Sequence, residues 1–237
     1  MSQRNRTLAI VGGAVLVVLL ILGIALVASS GDDGDDTAST EAGAGAGTVE
    51  PGDEAGGSES GDGADDSGSG GETRSVTVTG EPLPPLGSPD DDPAVGTQAP
   101  VLDGEEFDGT PITIGAPTDG PTMVVFLAHW CPHCNAEIPE LIELDEAGSL
   151  PEDLDVVGVS TAVAADRDNY PPSEWIVEKG WPWPIMVDSA DFAALDAYGG
   201  TGFPFTVMLD ENGVVLARKS GSGSAEEIAD WIEITLG

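Results

Sequence analysis

The sequence predicts an α/β domain built on a mixed β-sheet flanked by helices, preceded by one transmembrane helix and a disordered linker. Three observations carry this prediction. Beyond residue 93, apolar strand-like runs alternate with helical patterns and close in a hairpin, the order expected of a sheet that starts parallel and finishes antiparallel. Residues 8–28 form one uncharged, mostly apolar stretch. Between the two lies a long segment of Gly, Ser, Ala, Thr, Asp and Glu.

The apolar stretch, LAIVGGAVLVVLLILGIALVA, has 21 residues, and about 20 helical residues cross a hydrocarbon core. Arg4 and Arg6 precede it and Asp32, Asp33, Asp35 and Asp36 follow it, so residues 1–7 are expected in the cytoplasm and everything after residue 28 outside. The protein then sits in the cell membrane as a single-pass chain. A cleaved signal peptide is the rival reading, but its apolar region runs about 7 to 15 residues.

Residues 29–92 hold almost no large apolar side chains and cannot bury enough surface to offset the entropy of ordering. They read as a disordered acidic tether; a flexible coil of roughly 64 residues spans on the order of 45 Å. The short alternation at Ser75 to Thr79 allows transient pairing, but the Pro-rich stretch Pro82 to Pro93 argues for extended linker. The whole chain carries 43 acidic and 7 basic residues, a net charge of -36. That excludes nucleic acid as a partner, because phosphate binding needs clustered Lys and Arg. Self-repulsion of this size favours a soluble monomer.

Residues 93–237 suit a single domain with a proper core. A short edge piece at Ile112 to Ile114 leads to Thr122 to Ala128, a continuous apolar run that suits a strand buried on both faces. A helix begins at the cysteine motif and runs to about Ala147, and a second buried strand covers Leu154 to Ser160. A helix at Ser173 to Lys179, a strand at Trp183 to Val187 and a helix at Ala190 to Ala197 follow. Phe205 to Leu209 and Val214 to Arg218 flank Asp210-Glu211-Asn212-Gly213, where Asn-Gly signals a hairpin. The last helix starts at the cap Ser224, with Glu226 and Glu227 in its first turn.

The chemistry is concentrated at Trp130-Cys131-Pro132-His133-Cys134, which holds the only two cysteines of the chain. In a helix, positions i and i+3 bring Cα atoms within about 5 to 6 Å, inside the window a disulfide requires. Cys131 at the cap would have its thiolate stabilised by free backbone N–H groups, with Pro132 at the first helical position, which needs no donor. Cys131 is therefore the expected nucleophile and Cys134 the resolving thiol. His133, when protonated, would favour the thiolate and could donate a hydrogen bond to it. Two alternatives remain open here. A static disulfide closing two intervening residues would be a poor staple, since it removes little unfolded-state entropy. A zinc site would need four well-placed ligands, whereas two cysteines and the two histidines, His129 and His133, crowd into six residues. No metal or cofactor is expected.

Taken together, these residues resemble the thioredoxin superfamily and, within it, the membrane-tethered TlpA/ResA-like proteins. The likeness rests on Val95-Gly96 with Ala99-Pro100, the strand MVVFLA before WCPHC, Glu137 and Pro139 after it, and Thr201-Gly202-Phe203-Pro204-Phe205-Thr206 before the hairpin. The resemblance implies a thioredoxin-like fold, a cis Pro204 beside the cysteines, and a helix kinked at Pro139. It also implies a substrate groove formed by Trp130, Gly202 and Phe203. Cytosolic thioredoxins carry a buried Asp where this chain has Val125, which makes Glu137 the candidate proton acceptor for Cys134. Glu137 lies in line with Leu141 and Leu144 on the edge of an apolar stripe, so burial and a raised pKa are expected.

What the resemblance implies about activity is thiol-disulfide exchange outside the cytoplasm, acting as a disulfide reductase on protein thiols or disulfides and fed by a membrane electron-transfer partner. The Pro-His dipeptide points instead toward an oxidant resembling DsbA. A tethered binding module that never turns over its cysteines is the reading from a different class. A peroxide-reducing enzyme shares the Gln98-Ala99-Pro100 pattern but does not call for paired cysteines at a helix start.

Overall fold

The computed structural model describes residues 71–237. In chain order the elements are β1 (Thr77–Thr79), β2 (Val101–Glu105), β3 (Pro111–Ile114), β4 (Thr122–Leu127), α1 (Pro132–Glu146), β5 (Asp155–Ser160), α2 (Pro172–Glu178), β6 (Ile185–Val187), α3 (Ala193–Ala197), β7 (Phe205–Leu209), β8 (Val215–Ser220) and α4 (Ala225–Leu236). The main sheet has the order β6-β5-β4-β7-β8. Strand β4 pairs parallel with β5 and antiparallel with β7, so the sheet is mixed as expected.

Strand β4 lacks a polar alternation because neither of its faces meets water. Met123, Val125 and Leu127 join an apolar cluster with Ile138 and Leu141 of α1, Trp175 of α2 and Ile228 of α4. Val124 and Phe126 join the other cluster, with Leu102 of β2, Ala194 and Leu195 of α3 and Phe205 of β7. Such two-sided burial is the reason parallel strands read as unbroken apolar runs. Helix α4 opens on the expected cap. The Ser224 hydroxyl accepts from the Glu227 N–H while the Glu227 carboxylate accepts from the Ser224 N–H, a reciprocal capping box. Between β7 and β8, Asp210 accepts from the N–H groups of Asn212 and Val214, and Gly213 takes a φ of +79°. A side chain at Gly213 would also meet the Gly115 carbonyl at 2.4 Å, so the turn needs glycine on two counts.

Two expectations are corrected. The edge piece around Ile112 belongs not to the main sheet but to a separate antiparallel sheet, β1-β2-β3, packed on the α3 side. The linker, expected to reach residue 92, ends at least twenty residues earlier, because 71–92 form a strap bound to the domain. Strand β1 pairs with β2, Leu83 and Leu86 are buried, and their N–H groups donate to the carbonyls of Ala197 and Gly199 at 2.9 Å. The strap backbone approaches Gly199 so closely that a side chain there would sit 2.3 Å from the Pro84 carbonyl oxygen. Asp92 pairs with Arg218 of β8, both side chains wholly covered. A prolines-and-acids composition hid this, since the apolar contribution is two leucines rather than a periodic run.

The expected transmembrane helix, residues 8–28, lies outside the described residues, as do 29–70 of the expected linker. Among the described residues no helix is long and apolar enough to cross a membrane.

Candidate active site

Strand β4 delivers the chain to Ala128, and the turn to α1 places both cysteines beneath the end of the sheet. Cys131 is the N-cap of α1, with extended backbone, and Pro132 takes the first helical position. The Cys131 carbonyl accepts from the backbone N–H of Asn135 at 3.1 Å and from its side-chain amide at 2.9 Å. Both cysteines are free thiols. Cys131 keeps a sliver of exposure, 5%, whereas Cys134 one turn deeper has none. Burial pushes the Cys134 thiol up; the Ala128 N–H, which donates to its sulfur at 3.5 Å, opposes this, and the nearby Cys131 and Glu137 reinforce it.

The loop before β7 closes the site from the other side. The Phe203–Pro204 peptide is cis, as the resemblance implied, and the Phe203 carbonyl accepts from the Cys131 thiol at 3.7 Å. Gly202 and Phe203 are half-buried at the rim, and the Phe203 ring stands edge-on to Trp130 at 5.8 Å.

Glu137 is wholly buried on α1, one turn beyond Cys134. Burial raises its pKa, partly offset by the positive charge of Lys219 and by the Gly223 N–H, which donates to Oε2 at 3.1 Å. Lys219 of β8 is itself pushed down by burial, with Glu137 and Glu227 pulling the other way, and its Nζ lies over the Trp231 ring at 5.1 Å. Neither Lys219 nor Gly223 was legible beforehand, because each comes from a distant strand or loop. Pro139 lies inside α1, which continues through it to Glu146.

The two histidines make different bonds. His133 is exposed and its Nδ1 stands 3.2 Å from the Ser222 hydroxyl, so the hydrogen bond expected toward the Cys131 sulfur is not formed. His129 is buried. Its Nε2 accepts from the Ala164 N–H at 3.2 Å, which leaves the proton on Nδ1 to be donated to the Asp168 carbonyl at 2.8 Å. The His129 carbonyl accepts from Asn135 and Asn169 side chains. These bonds pin the 161–171 loop against the site, and Trp130 adds its own by donating from Nε1 to the Ala162 carbonyl at 2.7 Å. Arg167 of that loop stacks on Trp130, its guanidinium carbon 4.8 Å from the ring centroid.

A cavity of about 670 Å³ lies at the opposite end of the sheet, lined among others by Ile112, Leu154 and Trp183, and holds none of these residues. Around the cysteines the arrangement is one thiol that reaches the surface, Cys131, with a second thiol and a buried acid behind it.

Comparison with known proteins identifies the family. The Redoxin family matches residues 94–231. The methylamine utilization protein MauD of Methylophilus methylotrophus is 26% identical over 152 residues, covering 62% of this chain and 67% of that protein. The sporulation thiol-disulfide oxidoreductase A of Bacillus subtilis is 26% identical over 112 residues, covering 47% of this chain and 66% of its own length. Human nucleoredoxin is 33% identical over 101 residues, covering 40% of this chain, which spans only 22% of that much longer protein. In fold, a DsbF homologue from Corynebacterium diphtheriae superposes with a TM-score of 0.51 at 19% identity, over 64% of this chain and 99% of that one. Since the family match spans more than half of the sequence and takes in the strand, both cysteines and the cis-proline loop, the chain belongs to the Redoxin family, as a thioredoxin-like oxidoreductase of the TlpA/ResA kind.

Proposed function

We propose that this oxidoreductase reduces disulfides of proteins outside the cytoplasm through Cys131 and Cys134, held near the membrane by the helix expected at residues 8–28. The observation that carries the reading is the asymmetry of the two thiols. Cys131 sits at a helix N-terminus and opens to the groove, while Cys134 is sealed beneath it beside Glu137. Attack by the Cys131 thiolate on a substrate disulfide forms a mixed disulfide and releases one substrate thiolate. Cys134 then loses its proton and attacks the Cys131 sulfur, which frees the second substrate thiolate and leaves the Cys131–Cys134 disulfide. Two electrons have passed to the substrate, and a membrane electron-transfer partner returns them.

Glu137 is suited to receive the Cys134 proton because burial brings the basicity of its carboxylate closer to that of the buried thiol. Trp130, Gly202 and Phe203 form the groove wall, and the proline at 204, lacking an N–H, leaves the adjoining backbone to an extended substrate. The His133 side chain between the cysteines favours a second reading, an oxidant that donates its disulfide to exported proteins.

The redox potential decides the direction. The full chain is equilibrated against glutathione buffers, with alkylation of Cys131 as the readout. Reduction requires a potential below about -230 mV; a value near or above about -150 mV would establish the oxidant. Loss of insulin reduction in Cys131→Ser is the accompanying requirement, and a wild-type chain that neither reduces insulin nor oxidises a reduced substrate would leave only a binding module.

A further inference from the structure

We propose that Arg167 selects, among the disulfides this enzyme reduces, those with a carboxylate next to the reacting cysteine. The inference rests on the exchange reaction proposed above. Cations are scarce in this chain, and among the described residues nearly all are spent on structure. Arg74 bridges to Glu105 and donates to the Phe107 carbonyl, Arg218 is buried on Asp92, and Lys219 lies half-buried over Trp231. Lys179 closes α2 at the end away from the groove. Arg167 alone is exposed at the site, and it forms no ion pair among the described residues even though Asp166 and Asp168 flank it in sequence.

Its position is built rather than accidental. The guanidinium rests on Trp130, the residue before the nucleophile, and Trp130 is itself held by the edge-on Phe203 ring and by its bond to the Ala162 carbonyl. The loop that carries Arg167 is pinned through both ring nitrogens of His129 and through Asn169. Ala162 and Asn169 accept left-handed backbone conformations, φ +51° and +61°, in making those bonds. Stacking leaves the guanidinium edge free, and that edge is the surface that takes a carboxylate in two parallel hydrogen bonds. In a protein whose overall charge repels acidic substrates, a single oriented cation beside the nucleophile acts on register: it rewards a carboxylate placed next to the disulfide and does nothing for one placed far away.

The test uses two disulfide-containing peptides of equal net charge, one with Glu adjacent to the reacting cysteine and one with that Glu at the far end. Wild-type full chain should reduce the adjacent-Glu peptide with a kcat/KM about fivefold higher, which is about 1 kcal/mol at 1.4 kcal/mol per factor of ten. Arg167→Gln should erase the preference and Arg167→Glu reverse it, while Arg167→Lys keeps part of it. Alkylation of Cys131 by neutral iodoacetamide, measured in all four proteins, gives the change in thiolate reactivity common to both peptides, and the ratio of the two peptides' kcat/KM is free of it. Equal rates on the two peptides in wild type, or a preference that survives Arg167→Gln, would overturn the assignment, as would a uniform loss on both peptides, which marks a merely structural role. Failure of the wild type to reduce either peptide would instead refute the exchange reaction, and the selectivity with it.

Discussion

Removing residues 71–92 should unfold the domain, and the size of the loss can be worked from the contacts of the strap. Arg218 is buried without exposed side-chain area and donates through Nε to Asp92 at 2.8 Å, and through Nη1 to the carbonyls of Pro84 at 2.9 Å and Tyr198 at 2.8 Å. Taking Asp92 away leaves that charge uncompensated, and breaking a buried pair from one side costs about 3–5 kcal/mol. Leu83 and Leu86 are 5% and 8% exposed, and each buried leucine contributes about 1.5–3 kcal/mol. The strap therefore accounts for about 6–11 kcal/mol, comparable to the whole stability of a domain of this size, about 5–15 kcal/mol. A chain beginning at Pro93 should show no cooperative urea transition, whereas one beginning at Gly71 should unfold as a unit. Asp92→Ala in the longer chain should lower Tm by about 10 °C. The Arg218 hydrogen bond is the main cause of the lowered Asp92 pKa, so this contribution is present above the ordinary value of 3.8 and is lost as pH falls through the lowered one. If the chain from Pro93 unfolds within about 2 kcal/mol of the chain from Gly71, the reasoning fails.

Three further outcomes follow from the same geometry. Glu137→Gln should slow release of the mixed disulfide by about a hundredfold at neutral to alkaline pH, the lower end for a lost general base, and stopped-flow exchange rates that match wild type would exclude the proton-acceptor role. The same variant carries a stability signature. Burial raises the Glu137 pKa, so above the ordinary value of 4.5 the folded protein holds a proton that the unfolded chain has lost, and wild-type stability falls as pH rises through that window. Glu137→Gln escapes this loss and should have the higher urea midpoint at neutral pH, with the two midpoints converging below pH 4.5; a lower midpoint at neutral pH would contradict the assigned cause. Gly199→Ala should cost about 2 kcal/mol or more in urea unfolding, because its φ of +69° disfavours a side chain and the new methyl would collide with the Pro84 carbonyl.

What the sequence by itself determined is whatever depends on neighbours along the chain. The unbroken apolar run of β4 announced a strand buried on both faces, the i, i+3 cysteines at a strand-to-helix junction announced a thiol pair, and Asn-Gly and Ser224 announced a turn and a cap. Burial of Glu137 was readable because its helical phase matches Leu141 and Leu144. Tertiary structure alone decided which distant groups meet those residues. The Asp92–Arg218 pair joins positions 126 apart, His129 spends its ring on a loop thirty-five and more residues away, and Glu137 finds the Gly223 N–H 86 residues on. Arg167 reaches Trp130 only because β5 returns the chain to the end of β4 and the loop after β5 folds back over it. Periodicity reports which side of an element is apolar. It carries no record of which buried charge on one element faces which carboxylate on another, and in this protein those pairings set the true start of the domain and the rim of its reactive groove.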